Sequence, residues 1–274
     1  MLLPLFDASF GANLAADTAS DVAYNGPADT PLGDSWATGD NGGNGFTAWT
    51  LIPATGDFSI GLSAGNGDGG GGIDIDTLHL GVNDTRSWRI TSNDGLAEAS
   101  RGFTGGDLSI GQTFNLGFDQ GVVDTNPGFA DGDGVGKVGF ALRSGGITRF
   151  EFFNLGGAGS NRYTVNAATG GGNTSLGSFT DEGMTTAFTL TGPDSYSFSV
   201  TFLDTGAVET FSGNLLNTGG LDNVLLSVFN TTPGVGLSNP TSDVFYNSMS
   251  IVPEPSSLAM LLTGGVFLLR RRRG

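Results

Sequence analysis

The feature that most constrains this chain is a strict period of two. In Ser195-Tyr-Ser-Phe-Ser-Val-Thr-Phe202, Tyr196, Phe198, Val200 and Phe202 fall on one side, and Ser195, Ser197, Ser199 and Thr201 on the other. That pattern describes a β-strand with one face in a core and one in water. Between residues 7 and 252 no stretch sustains a 3.6-residue period with helix caps, so the body is all-β. Flanking runs at Thr185–Thr191 and Ala207–Leu215 are separated from it by Gly192-Pro193-Asp194 and Asp204-Thr205-Gly206. Val138–Leu142 and Ile147–Leu155 meet around Gly145-Gly146, the two-residue form of hairpin loop. Further strands are expected at Phe46–Ile52, Phe58–Ser63, Ile73–Val82, Ser87–Ser92, Leu108–Phe118, Arg162–Ala167, Val224–Phe229 and Val244–Val252.

About a dozen turn-separated strands imply an antiparallel β-sandwich of the jelly-roll type. A propeller or solenoid requires a fixed internal repeat, and the chain has none. The 48 glycines and an excess of Asp over Glu suit turn chemistry. Glycine patches at 65–72 and 170–172 read as loop tips, so residues 1–252 form one domain. Twenty phenylalanines supply enough apolar mass for its core.

Charge and composition exclude several functions. Four of the 11 cations form the terminal run Arg270 to Arg273, leaving residues 1–252 with seven cations, 26 acids and a formal charge of −19. Such a body repels phosphate backbones, which argues against a nucleic-acid partner. The absence of cysteine removes disulfides, thiolate metal sites and cysteine nucleophiles. The single histidine, His79, lies between Leu78 and Leu80 and is expected on an exposed face, with no second ligand beside it.

Residues 253–274 form a separate unit. Pro253-Glu254-Pro255-Ser256 leads into an uncharged stretch over 256–269 and then four arginines. Fourteen residues make a helix of about 21 Å at about 1.5 Å per residue, short for a bilayer but extended by snorkelling arginines. The arginine cluster would stay cytoplasmic, leaving the acidic body on the far side of the membrane. An amphipathic core helix is the alternative, opposed by apolar residues on every face. The Pro-Glu-Pro motif, the apolar segment with Gly264-Gly265 and the terminal arginines together resemble the PEP-CTERM protein-sorting signal. The resemblance implies an exosortase substrate, processed near Pro253, Glu254 and Pro255 by a membrane-embedded, cysteine transpeptidase-like enzyme. Arg270, Arg271, Arg272 and Arg273 would be the cytoplasmic stop, in an exopolysaccharide-producing Gram-negative bacterium. The N-terminus departs from that family: Met1–Phe6 runs directly into Asp7 and no cation precedes Arg86. A secretory signal has a basic start and a longer apolar stretch, so the sequence is expected to begin within a longer signal. The body also resembles, more loosely, the concanavalin-like jelly rolls of other PEP-CTERM ectodomains, through its pattern from Val138 through Thr201 to Asp243–Asn247.

Candidate sites in the body are few. Trp36, Trp49 and Trp88 are the large rings that could stack on sugar faces, with core packing as the competing expectation. Trp36, in a loop-like Gly33–Gly39 setting, is the one expected at the surface. Asp131-Gly-Asp133-Gly offers hard oxygen ligands for calcium, alongside Asp124-Thr-Asn126. Val135 and Leu142 break the EF-hand pattern at its fifth and twelfth positions. Gly69–Asp74 begins like a calcium-binding nonapeptide but is not repeated. Solvated acidic turns are the alternative for both loops. Glu151 and Glu209 are the carboxylates that could serve glycoside hydrolysis, which needs a pair about 5–9 Å apart; the competing expectation is that they are surface acids, Glu151 pairing with Arg149. The reading is therefore an exported, non-enzymatic structural or adhesive component of an extracellular polysaccharide layer, with calcium as the one candidate cofactor. A lectin-like carbohydrate-binding protein is the first alternative and a polysaccharide-degrading enzyme the second.

Overall fold

The alternating runs become strands of two antiparallel sheets. In the computed structural model the described residues are 14–24, 36–53, 56–63, 75, 77–78, 85–92, 95–120, 137–155, 162–166, 174–175, 180, 183–229 and 244–253. Their first strands are β1 (Ala15–Asp17), β2 (Thr50–Pro53), β3 (Gly56–Gly61), β4 (Thr77–Leu78), β5 (Thr85–Ser92) and β6 (Leu96–Gly102). The middle of the chain gives β7 (Thr113–Gln120), β8 (Lys137–Ser144), β9 (Ile147–Leu155), β10 (Arg162–Asn166) and β11 (Thr174–Ser175). The last are β12 (Met184–Gly192), β13 (Ser195–Phe202), β14 (Val208–Asn214), β15 (Asn223–Phe229) and β16 (Val244–Val252). A nine-stranded sheet runs β14-β13-β12-β7-β16-β5-β3, with β1 on β16 and β4 on β5. A seven-stranded sheet runs β11-β10-β9-β8-β15-β6-β2.

The two inner faces meet in an aromatic seam. Phe114 faces Phe140 (6.2 Å between centroids), Phe118 faces Phe152 (6.1 Å), and Phe150 lies between Phe188 (4.8 Å) and Phe198 (4.9 Å). These rings alternate with outward polar residues along each strand, as the burial pattern of β13 shows. The Tyr246 hydroxyl crosses the layers to donate to the Gly139 carbonyl (2.7 Å). Gly145, at φ +56, turns the β8–β9 hairpin where Ser144 pairs with Ile147.

Several strand boundaries differ from those expected. Leu108–Gln112 form a turn rather than the start of β7, with Gly111 N–H bonded to Leu190 O and Gln112 N–H to Ser109 O. Within the 73–82 run the described strand is Thr77–Leu78, and Phe46 makes a single bridge to Phe103 ahead of β2. Strand β6 alternates in burial but lacks the apolar signal that marks the other strands, because its inward residues are Ala97, Ala99 and the charged Arg101. Residues 254–274, His79, Asp124, Asn126, Asp131, Asp133 and 69–74 lie outside the described residues. Among the described residues no helix is long and apolar enough to cross a membrane.

Asn247 ties four segments together at a bulge in β16, where the register shifts between Asn247 and Ser250 and Ser248 adopts φ +53. Its Oδ1 accepts from the N–H groups of Ala19 (3.0 Å) and Ser248 (2.8 Å), and its Nδ2 donates to the carbonyls of Ile75 (2.9 Å) and Arg86 (2.8 Å). Removing this fully buried amide orphans backbone groups at about 1–3 kcal/mol each where water cannot reach. Asn247→Ala is therefore expected to lose about 3–5 kcal/mol of stability, read as a lower urea midpoint with an unchanged slope.

Candidate functional site

Outward positions of the nine-stranded sheet align into rows. One row is Thr210, Ser199, Ala187, Asn115 and Ser250; the next is Ser212, Ser197, Thr189, Thr113 and Val252; a third joins Val208, Thr201 and Thr185 to Gly117. Hydroxyl and amide groups thus repeat about every 4.8 Å across strands and about 6.8 Å along them. No Asp, Glu, Lys or Arg occurs in these rows, although the chain as a whole carries a net charge of −16. Two internal hydrogen bonds steady the surface: Thr113 Oγ1 with Thr189 Oγ1 (2.7 Å), and Asn115 Nδ2 to Ser250 Oγ (3.2 Å). The face is closed on one side by Ile75, itself buried, whose Cβ would lie 3.4 Å from a Cβ added to Gly117. On the other side it runs out to β14, all of whose residues are partly or fully exposed.

The three tryptophans weighed as sugar platforms are core residues, as the competing expectation had it, and Trp36, the one expected at the surface, is buried with the others. Trp36, Trp49 and Trp88 are 3 %, 1 % and 0 % exposed and pack edge-on or tilted against one another at 5.0–6.3 Å. Phe58 and Tyr24 complete the cluster. Trp36 is drawn in because the segment before β2 folds back over the open end of the sandwich, and rings of that size gain more from burial than loop context can oppose.

Beneath this cluster lies an ion pair that the sequence did not disclose. The Arg101 guanidinium of β6 donates to the Asp17 carboxylate of β1, joining the two sheets, and both side chains are fully buried. Tyr24 Oη also donates to Asp17, and Trp49 Nε1 donates to Tyr24 Oη (3.0 Å). Arg101 further reaches Thr47 O (2.9 Å) and Asn41 Oδ1 (2.9 Å), and stacks 4.8 Å from the rings of Phe46 and Trp49. Burial pushes the Asp17 carboxyl above the ordinary range, overcoming the opposite pull of Tyr24 and Arg101. Burial and the adjacent carboxylate likewise push the Tyr24 hydroxyl up. The network is structural: Asp17, Tyr24, Trp49 and Arg101 are buried, while its outer partners Asn41 and Thr47 lie at the surface.

Glu151 does not pair with Arg149. It projects from the outer face of the seven-stranded sheet and meets Lys137 of the neighbouring strand (2.5 Å), whose ammonium also lies 4.3 Å from the Phe153 ring. Arg149 turns to the end of the sandwich, binding Leu216 O (2.8 Å) and Asp194 Oδ1 (2.5 Å). Glu209 lies on β14 of the other sheet, opposite Val200 and on the inward side. The two carboxylates thus sit on different sheets and different faces and do not flank a common cleft. Among the described residues no group of three or more His, Asp or Glu side chains is placed to hold a metal.

No family model matches the chain, and no curated protein does. Solved structures similar to it include the CBM2 module of the evolved Dit protein of Lactobacillus casei BL23 phage J-1, at 12 % identity over 87 % of this chain and 96 % of that one, with a TM-score of 0.44. The exoplasmic/lumenal domain of VIP36, in a form bound to Ca2+ and Man3GlcNAc, aligns at 12 % identity over 73 % and 85 %, with a TM-score of 0.38. The Caenorhabditis elegans galectin LEC-6 aligns at 13 % over 53 % and 85 %, with a TM-score of 0.34.

The raised Asp17 value carries a sign that can be tested. The folded protein holds this proton more tightly than the unfolded chain, so the stability it contributes is full below the unfolded value of about 3.8 and is lost as pH rises through the higher folded value. The uncharged Asp17→Asn variant lacks this loss. Urea midpoints measured from below that unfolded value up to neutrality are expected to shift in the variant's favour, relative to the natural chain, as pH rises.

Proposed function

We propose that this protein is an exported, non-enzymatic component of an extracellular polysaccharide layer, and that it holds neutral polysaccharide against the outer face of its nine-stranded sheet. The observation that carries the reading is the set of registered rows of uncharged hydroxyl and amide groups centred on Ser197, Ser199, Thr189 and Thr113. Each can donate and accept, so a surface that itself bears hydroxyls finds partners at every row without desolvating a charge. The acidic body repels anionic polymers at long range, which favours uncharged glycans. In this reading the sandwich is a concanavalin-like jelly roll.

Export and sorting are supported by the C-terminal sequence. Pro253 directly follows β16 and is itself partly exposed, which suits access by an exosortase-type enzyme. Residues 256–269 would anchor the chain in the inner membrane of a Gram-negative bacterium, with Arg270 to Arg273 on the cytoplasmic side, until processing releases it to the cell surface or matrix. Asp131 and Asp133 are the place for calcium if the protein uses it.

The test is retention of the full chain, in mild detergent, on insoluble neutral glucan and on alginate, with and without EDTA. The natural protein is expected on the glucan and not on the alginate. Ser197→Asp with Ser199→Asp, which adds two charges to an exposed face and leaves the core alone, should weaken that retention about tenfold or more, equivalent to about 1.4 kcal/mol. Equal retention of natural and doubly substituted protein would sink the proposal for this face, and loss with EDTA alone would move the site to the acidic loop.

A further inference from the structure

We infer that β14 is a docking edge for a second copy of this chain, the two pairing antiparallel about a two-fold axis at Phe211. Among the described residues β14 pairs only with β13 and ends the nine-stranded sheet. Ala207 O accepts from Phe202 N–H, and Leu215 N–H donates to Asp194 O, so the odd-numbered residues aim their backbone groups at β13. In a regular strand successive residues alternate sides. The N–H and C=O groups of Val208, Thr210, Ser212 and Asn214 therefore point to the free edge.

Edges of this kind are normally blunted by proline, lysine, a bulge or shortness. Of the other end strands, β2 is four residues ending in Pro53, β11 is two residues, and β3 is six residues with the exposed charge of Asp57. Strand β14 has seven residues, no proline or lysine, and an unbroken register with β13. On its underside Phe211 packs on the core at Phe198, 6.5 Å away, and is partly buried.

The chemistry of the strand selects both the occupant and the register. Centring the pair on Glu209 would set two carboxylates opposite each other, and centring it on Thr210 would set each carboxylate against a phenylalanine ring. Centred on Phe211, Glu209 faces the second copy's Gly213, Thr210 faces Ser212, and all seven residues pair. The two Phe211 rings then occupy a non-hydrogen-bonded position, with Cα atoms about 4.5 Å apart, where aromatic cross-strand pairs are favourable. Thr210 and Ser212 of each copy abut, so the hydroxyl face continues from one sandwich to the next.

The natural chain contains no cysteine, so a single introduced cysteine reports on one position. In the full chain held in detergent micelles, without polysaccharide, Phe211→Cys is expected to form a disulfide-linked dimer about tenfold faster than Glu209→Cys or than Ser197→Cys on the open face, because only position 211 meets its own copy within disulfide reach. Thr210→Pro removes one outward N–H without touching the β13 ladder, a place where sheets accept proline. It should raise the dimer dissociation constant measured by sedimentation about tenfold. Equal crosslinking at 211, 209 and 197, a natural chain that sediments as a monomer throughout, or an association that Thr210→Pro leaves unchanged would each overturn the inference. None of these readouts depends on polysaccharide binding.

Discussion

The aromatic seam between the sheets sets the terms for everything else. Phe114, Phe118, Phe140, Phe150, Phe152, Phe188 and Phe198 fill the interlayer with rings at 4.8–6.4 Å from their neighbours. Each tilted or edge-on ring pair adds about 0.5–1.5 kcal/mol beyond the area it buries. A core supplied this way needs one apolar residue in two on each strand and nothing from the other half. The outward half is released from packing, and on β12, β13 and β14 it is spent almost wholly on Ser and Thr. The hydroxyl face is thus a by-product of where the stability is concentrated.

That coupling also explains which parts were legible in the sequence. Strands β9, β12, β13, β14, β15 and β16 could be read within a residue or two, because large rings or branched residues alternate with small polar ones. Strand β6 could not, because Ala97 and Ala99 fill narrow space beneath the tryptophan cluster and Arg101 is inward, so its pattern looks like a polar loop. The Asp17–Arg101 pair was invisible for the same reason: its partners lie 84 residues apart, and each sits in a run with no periodicity of its own. Trp36 misled in the opposite way. Its glycine-rich neighbours promised exposure, but the loop's fate is decided by tertiary contact with Trp49, Phe58 and Trp88. The serines of β13 were readable as an outward row, whereas their continuation into Thr189, Thr113 and Ser250 depends on a strand order that no local pattern encodes.

Charge is partitioned as sharply as hydrophobicity. The buried Arg101 and Asp17 cross the layers, Arg149 with Asp194 ties the end of β9 to the β12–β13 turn, and Lys137 with Glu151 lies on the outer face of the seven-stranded sheet. Buried pairs add little net stability over apolar substitutes but penalise any arrangement that separates them. Here Arg101 fixes β1 and the 41–47 segment over the end of the sandwich, where Asn41, Gly42 and Thr47 all accept from it. The rows of β14, β13 and β12 are left without any charge to specify orientation, and the charged Asp57, Arg89 and Asp119 lie on the same side toward β5 and β3. Selectivity along the rows must then come from shape, from hydroxyl spacing and from the long-range repulsion of the acidic body.

A face made by strand alternation has no intrinsic boundary and ends only where the sheet does. At the β16 side it is finished: Asn247 holds the Ile75 carbonyl, and Gly117 leaves the space in which Ile75 settles. At the β14 side no described strand pairs with the outer edge, and the last strand lies above a half-buried phenylalanine. An interaction that is weak per hydroxyl, as exchange of water for a neutral glycan must be, gains most from extension of the array. Two sandwiches joined at β14 would offer one polymer two linked faces, and linking converts a second weak contact into an intramolecular one. On the proposed reading the end strand and the hydroxyl rows would act together, with affinity accumulated by repetition rather than by any one side chain.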